Sequence, residues 1–307
     1  MAECLVSLEE ERRVKAMGFL RNRGTDLFSG RIITVNGKIT AEQGRCIAEA
    51  AERFGNGTIT MTTRLTIEIP GIPFEKIPEF QAFIAQAGLV TGGTGAMVRP
   101  VVCCKGTTCQ YGLLDAFALS EEIHHRFYEG YRGVKLPHKF KLAVGGCPNN
   151  CVKPDLNDVG IIGQRIPKLR EADCKGCKKC GVEAVCPMGA AHVVDGVLHI
   201  DPTLCSNCGR CVSKCHFKAI DGDAYGFKIY LGGRWGKNCA RGHALDKVFT
   251  DKAEALDVIE KAILLFRDQG LPGERFAVTI ERLGFENVQA QLLGPELLER
   301  KAEILAK

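Results

Sequence analysis

The sequence predicts an α+β fold interrupted by a cysteine-rich insert, and three observations predict it. Between residues 31 and 88 the hydrophobic pattern switches between strand and helix periods. From Cys174 to Cys215 two runs of Cys-x2-Cys-x2-Cys follow each other. From 222 onward ordinary strand and helix patterns return.

Residues 4–23 read as a short amphipathic helix or arm. Arg31–Val35 reads as a strand ending in an Asn36-Gly37 turn. Thr40 and Gln43 form a capping box for a helix that ends near Gly55. Residues 58–69 alternate and read as one strand. Ile59, Met61, Leu65, Ile67 and Ile69 share one face; Thr60, Thr62, Arg64, Thr66 and Glu68 share the other. Pro70-Gly71 is the expected stop. Ile77, Phe80 and Ile84 mark a helix before Gly88, and Thr91–Gly95 is a loop suited to hugging a ligand. A helix is predicted from Gly112 to about Glu129, then a strand over 138–144. Thr250 caps a helix over 251–269 with a Leu256, Ile259, Ile263 and Phe266 stripe, ended by Gly270 and Pro272. Phe276–Ile280 reads as a strand.

Hydrophobic residues make up 45% of the 307, a globular composition. The net charge of +5 does not argue for nucleic acid or membrane binding, but it suits an anionic ligand. No apolar run is long enough for a membrane span and no signal peptide opens the chain. Sixteen cysteines in a chain this size point to metal ligation in a reducing cytoplasm, not to a disulfide scaffold.

The first run is Cys174-x2-Cys177-x2-Cys180-x5-Cys186; the second is Cys205-x2-Cys208-x2-Cys211-x3-Cys215. Such triplets wrap three corners of a 4Fe-4S cubane, and the fourth cysteine of each run serves the other cluster in a two-cluster ferredoxin. Cluster A is therefore assigned Cys174, Cys177, Cys180 and Cys215, and cluster B Cys205, Cys208, Cys211 and Cys186. A pair of zinc knuckles is the competing reading, but it calls for a pair of pairs. The first run has five residues before its last cysteine where three are usual, and His216 stands where proline follows in the pattern.

Cys103-x5-Cys109 and Cys147-x3-Cys151 remain, in glycine-rich surroundings. Two separated pairs can close a third cubane; four unligated thiols are the alternative. Cys104 is an alternative ligand or a spectator. Cys4, Cys46 and Cys239 are expected to be unligated.

With these residues the chain resembles the siroheme-containing sulfite and nitrite reductase family. The resemblance rests on the two cysteine pairs, Thr62–Thr66, Arg99, Leu136–Lys141, Gly232-Gly233-Arg234, Gly273–Phe276 and Leu283-Gly284. It implies a single reductase half module carrying an inserted two-cluster ferredoxin-like domain. The layout is similar to the siroheme-type subunit of three-subunit anaerobic sulfite reductases and to small dissimilatory sulfite reductase-like proteins. The implied domains are an N-terminal arm (1–24), a ferredoxin-like half-domain (25–98), a siroheme/4Fe-4S domain (99–170 and 222–307) and the insert (171–221).

The resemblance further implies siroheme and three 4Fe-4S clusters. The third cluster takes Cys103, Cys109, Cys147 and Cys151, with Cys151 also bridging to the siroheme iron. Arg64 is implied to meet siroheme carboxylates; on its own it reads equally as a surface charge. Arg99, Lys139 and Lys141 are implied to bind the substrate anion, with Arg31 the nearest candidate, two positions off, for a further arginine. Lys139 and Lys141 alternate with Phe140 and Leu142, so both ammoniums point one way on an extended chain; a solvated strand face has the same pattern.

The implied activity is siroheme-dependent, six-electron reduction of sulfite to sulfide or nitrite to ammonia, fed through the ferredoxin clusters by a donor protein or subunits in a homo- or hetero-oligomer. One rival is an electron-transfer iron–sulfur subunit with no substrate site; the other is a degenerate siroheme protein acting as a sensor.

Overall fold

A computed structural model of the chain describes residues 6–307, so Cys4 and the start of the arm lie outside the described residues. In chain order, the first elements are α1 (Leu8–Ala16), β1 (Phe19–Arg21), β2 (Leu27–Ile32), α2 (Ala41–Phe54), β3 (Thr60–Met61), β4 (Ile67–Pro73) and α3 (Ile77–Ala85). Next come β5 (Val102–Cys103), α4 (Ala116–Ile123), β6 (Leu142–Gly145), β7 (Val159–Leu169), α5 (Gly181–Val185), β8 (Ala191–Val194) and β9 (Val197–Ile200). The last are β10 (Ile220–Leu231), β11 (His243–Phe249), α6 (Lys252–Gln269), α7 (Phe276–Leu283), α8 (Phe285–Leu293), α9 (Glu296–Glu299) and α10 (Lys301–Ala306). The architecture is α+β. It divides into one unit of Met1–Cys103, Ala118–Ala143 and Glu260–Lys307, and a second of Cys104–Phe117 and Val144–Ile259.

The first unit opens with an antiparallel sheet in the order β1-β2-β4-β3. Its core joins Phe19, Phe28, Ile32 and Ile69 of the sheet to Ile47 and Phe54 of α2 and Phe80 and Ile84 of α3. Phe80 meets Phe19 and Phe54 edge-on, each at 5.9 Å, which suits the ring quadrupoles. The predicted capping box is present: the Thr40 hydroxyl accepts from Gln43 N–H at 3.1 Å, and the Gln43 side chain accepts from Thr40 N–H at 3.0 Å.

Two expectations in this unit need correcting. Residues 58–69 are not one strand. They fold back as a β3–β4 hairpin in which Met61 faces Ile67, turning at Thr62–Thr66 with Leu65 at φ 60°. The Thr62 hydroxyl accepts from the N–H groups of Arg64 and Thr66, which holds the turn. β4 then runs on through Pro70-Gly71, beside a register irregularity between Phe28 and Gly30 of β2. Nor is 276–280 a strand. It is the start of α7, and its buried Phe276, Ala277, Thr279 and Ile280 have helical spacing. Phe276 packs with Phe140 and Phe266 at centroid distances of 5.1 and 5.4 Å.

Smaller shifts concern helix ends. α4 starts at Ala116, later than predicted, and continues as a π-helix over His124–Glu129. The predicted helix at 251–269 begins at Lys252, and the Asp251 side chain, one residue past Thr250, accepts from Ala253 N–H at 2.9 Å.

The larger sheet has the order β11-β10-β7-β6-β5. β7 and β10 form a long antiparallel ladder from Val159↔Leu231 to Leu169↔Ile220. The cysteine-rich segment is the connection between them. It leaves after Leu169 and returns at Ile220, closed at its base by Arg170 N–H to the Ala219 carbonyl at 2.8 Å. Inside it, β8 and β9 form a hairpin turned by Asp195 and Gly196, both at positive φ.

Candidate functional site

The second unit contains the ferredoxin-type cysteines. Val182, Ala191, Leu198, Val212 and Ile220 form a small core, and Cys174, Cys180, Cys186, Cys211 and Cys215 pack against it. A separate cavity is lined by Cys186, Cys205, Cys208 and Cys211 together, the four residues assigned to cluster B. Burial pushes the Cys211 thiol up to about 11, with Cys205, Cys208 and Cys186 as like-charged neighbours that add to the rise. Burial also raises Cys205, with Cys208 and Cys186 again adding. Metal binding must displace these protons. Cys174 accepts from Leu198 N–H at 3.4 Å.

The two runs carry one repeated device. Cys186 Sγ accepts from Ala190 N–H at 3.3 Å, and Cys215 Sγ accepts from Ala219 N–H at 3.4 Å, each donor four residues on. Burial works against ionisation of Cys186, but N–H groups at Ala190, Met188, Ala191 and Gly189 outweigh it and hold the thiol below its ordinary value. N–H donors on sulfur are one of the levers that set cluster potential. The five residues between Cys180 and Cys186 wind into α5, with Val182 in the core. Among the described residues no three His, Cys, Asp or Glu side chains converge on a single metal ion. A cubane holds its thiols at the outer corners of a cage, farther apart than ligands of one ion.

The third set divides. Cys109, Cys147 and Cys151 lie in the second unit, at or beside turns, and each keeps accessible surface. Burial raises the Cys147 thiol, and the thiols nearest to it in charge are Cys104, Cys151 and Cys109. Cys103 closes β5 and is 5% exposed. Cys46 is half-buried in α2, and Cys239 is exposed.

The first unit gathers cations. Phe140 N–H donates to the Met97 carbonyl at 3.0 Å, and Arg99 N–H donates to the Phe140 carbonyl at 2.8 Å, so Val98 pairs with Phe140 in parallel. Val98 and Phe140 are both buried. Strand alternation therefore puts Arg99, Lys139 and Lys141 on the other side of this pairing. The Arg99 guanidinium donates to the carbonyls of Gly93 at 2.5 Å and Gly95 at 3.1 Å. Burial, with Arg31 and Arg275 as like-charged neighbours, brings it down to about 10. His138 is held below its ordinary value by burial and by Arg275, Lys139, Arg99 and Lys141. A guanidinium desolvated beside other cations marks a place for an anion.

Arg31 stands beside this group but has a partner of its own. It faces Glu68 across β2 and β4 and meets that carboxylate at 2.6 Å. Arg64 sits in the β3–β4 turn, not on a strand face, and donates to the carbonyls of Pro100 at 2.6 Å and Leu142 at 3.1 Å. Residues 91–94 of the glycine loop line a cavity of about 290 Å³ with Met17, Gln81, Tyr128 and Arg132. Sequence reasoning missed Arg275 as a member of the cation group and His138 as the imidazole that the group surrounds. Both lie in the segments Leu136–Lys141 and Gly273–Phe276 that carried the resemblance, but neither has a spacing signal of its own.

Cysteine framework, fold and cation group define an iron–sulfur oxidoreductase. The chain belongs to the nitrite and sulfite reductase family: residues 94–301 match the nitrite and sulphite reductase 4Fe-4S domain, and residues 21–87 match the nitrite/sulfite reductase ferredoxin-like half domain. It is 30% identical to the coenzyme F420-dependent sulfite reductase of Methanocaldococcus jannaschii over 80% of this chain and 38% of that protein. It is 32% identical to the uncharacterized protein MJ0551 of the same organism over 86% of this chain and 90% of that one. With the alpha chain of the dissimilatory-type sulfite reductase of Allochromatium vinosum it shares 24% identity over 79% of this chain and 63% of that protein. The chain thus spans less than two thirds of two of these three relatives. In fold it is similar to dissimilatory sulfite reductase I (TM-score 0.68, 21% identity, 87% of this chain and 69% of that one). It is similarly close to NirA of Mycobacterium tuberculosis (TM-score 0.68, 19% identity, 96% and 48%). Among the described residues no helix is long and apolar enough to cross a membrane.

Proposed function

We propose that the chain is a siroheme-dependent reductase that carries sulfite to sulfide, or nitrite to ammonia, with electrons delivered through the two ferredoxin-type clusters. The observation that carries this reading is the half-buried Arg99 guanidinium, with Arg275, Lys139 and Lys141 beside it around His138, in a chain with more cluster-type cysteines than a simple electron carrier needs. The donor sets fit the groups: soft thiolates in fours for cubanes, and a concentrated positive field for an oxyanion or for macrocycle carboxylates. When bound, siroheme supplies the iron that takes the oxyanion and the conjugated ring that makes multi-electron reduction feasible.

The chain's own residues supply binding and protons. Arg99 and Arg275 neutralise the anion and polarise its oxygens. Lys139 and Lys141 add charge and donate protons as oxygens leave as water. His138, held below its ordinary value by burial and then by its cationic neighbours, binds a proton more readily once an anion offsets them. Arg31, neutralised by Glu68, has a positioning role and is left out of the anion-binding set. Arg64 and Cys151 would hold siroheme, the guanidinium at its carboxylates and the thiolate at its iron. Cluster A takes Cys174, Cys177, Cys180 and Cys215. Cluster B takes Cys186, Cys205, Cys208 and Cys211. The third cluster takes Cys109, Cys147, Cys151 and one of the neighbours Cys103 and Cys104. A donor protein or subunit provides the electrons, and the working compartment is the reducing cytoplasm.

Anaerobic turnover with a reduced viologen tests the reading. Consumption of sulfite or nitrite, with sulfide or ammonia as product, is expected. Full cluster reduction and reoxidation by other acceptors, with neither oxyanion consumed, would leave an electron-transfer subunit in its place.

A further inference from the structure

We infer that the third cubane is held by Cys104, Cys109, Cys147 and Cys151, so that the first pair is Cys104-x4-Cys109 and Cys103 is a core residue. The inference rests on the proposed reductase function and fixes which of two adjacent thiols serves it.

Three observations separate the neighbours. The first is direction. Cys104 continues the extended path of β5, its N–H donating to the Val144 carbonyl at 3.1 Å. Adjacent residues of an extended chain project to opposite sides, so Cys103 and Cys104 cannot both face one cage. Cys104 Sγ accepts from Gly146 N–H at 3.0 Å, which puts it against the residue preceding Cys147.

The second is the way the two cysteine loops meet. Gly106, between Cys104 and Cys109, and Gly146, beside Cys147, touch through their backbones. A Cβ on either would come within 2.8 Å of the other's Cα, and within 3.2 Å (Gly106) or 3.4 Å (Gly146) of Cys104 Sγ. Leu113 N–H ties the same place down by donating to the Gly146 carbonyl at 2.8 Å. Both glycines are therefore required for the loops to close around Cys104.

The third is access. A ligand thiol must present sulfur to something other than its own protein. Cys104, Cys109, Cys147 and Cys151 all keep accessible surface, as do all eight ferredoxin-type cysteines; Cys103 alone of the candidate ligands is buried, at 5% exposed. A buried, inert thiol is the usual state of a core cysteine.

Full-length Cys103→Ala and Cys104→Ala variants, loaded anaerobically beside the wild type, decide between them. Iron and acid-labile sulfide per chain and the low-temperature EPR of the reduced protein are the readouts. We expect Cys104→Ala to lose the iron and sulfide of one cubane and to keep both ferredoxin-type signals, which also shows that it folds. Cys103→Ala is expected to match the wild type. Loss of the third cubane from Cys103→Ala, or its retention in Cys104→Ala, overturns this inference and leaves the reductase reading standing. A wild type without a third cubane overturns both.

Discussion

Arg31 and Arg99 donate to the same acceptor, the carbonyl of Gly93, at 3.0 and 2.5 Å. Two guanidiniums are thus held side by side, one neutralised by Glu68 and the other facing the cation group. Arg99→Ala should weaken oxyanion affinity by roughly 10- to 100-fold, the scale of a charge-assisted contact, with cluster content unchanged. Arg31→Ala should cost about 1–3 kcal/mol of stability by leaving the half-buried Glu68 unpaired, with a smaller effect on affinity. Nitrite titration and chemical denaturation of the two variants separate the roles; equal losses of affinity would restore Arg31 to the anion site.

His138 gives the site a pH dependence of known sign. Its folded value lies below the ordinary 6.5 because burial and four cations disfavour the charged ring. As pH falls through that depressed value the ring gains a proton, the site gains a positive charge, and anion binding tightens. Nitrite keeps its charge over this range and is the suitable probe. His138→Ala should flatten the profile, and a wild-type affinity that does not change with pH would remove His138 from the site.

Glu274 fixes the chain just before Arg275. Its carboxylate accepts from Leu271 N–H at 2.9 Å, the Thr279 hydroxyl at 2.8 Å and Arg282 at 2.9 and 3.0 Å. The Arg282 bond, foremost, brings its value from 4.5 down to about 2. A depressed carboxylate stabilises the fold above its unfolded value, and that increment is lost as pH falls from 4.5 towards 2. Glu274→Gln should cost about 1–3 kcal/mol near neutrality. The gap to the wild type should narrow in acid, and parallel stability curves would count against the ion pair.

Gly181 starts α5 where the two cysteine runs approach. A Cβ there would lie 2.6 Å from the Lys214 carbonyl, next to Cys215. Gly181→Ala should force the runs apart at a cost of about 1–3 kcal/mol and make the ferredoxin-type clusters labile. Iron release to a chelator under anaerobic conditions should quicken; an unchanged rate would mean that the loop yields without moving Cys215.

Much of this was legible before the structure, where local chemistry decides. The Thr40–Gln43 capping box and the Ile77–Phe80–Ile84 stripe are short-range signals, and α2 and α3 form where they point. The turn at Thr62–Thr66 was hidden because two-residue alternation survives a tight reversal: Ile67 follows Met61 in phase on either reading. Phe276–Ile280 is β-prone in composition, yet the packing of Phe276 on Phe140 and Phe266 selects a helix. The cation group was half visible. Lys139 and Lys141 alternate with apolar residues, whereas Arg275 joins them from 134 positions further on than Lys141, a distance that no pattern spans. The choice between Cys103 and Cys104 needed the direction of an extended chain, which residue counting cannot supply.

Iron, acid-labile sulfide and extractable siroheme, quantified per chain on protein isolated without oxygen, test whether three iron–sulfur cages and one tetrapyrrole share this chain. The iron and sulfide of three cubanes, one further iron and one siroheme are expected. Two cubanes and no tetrapyrrole would rule the proposed reductase out.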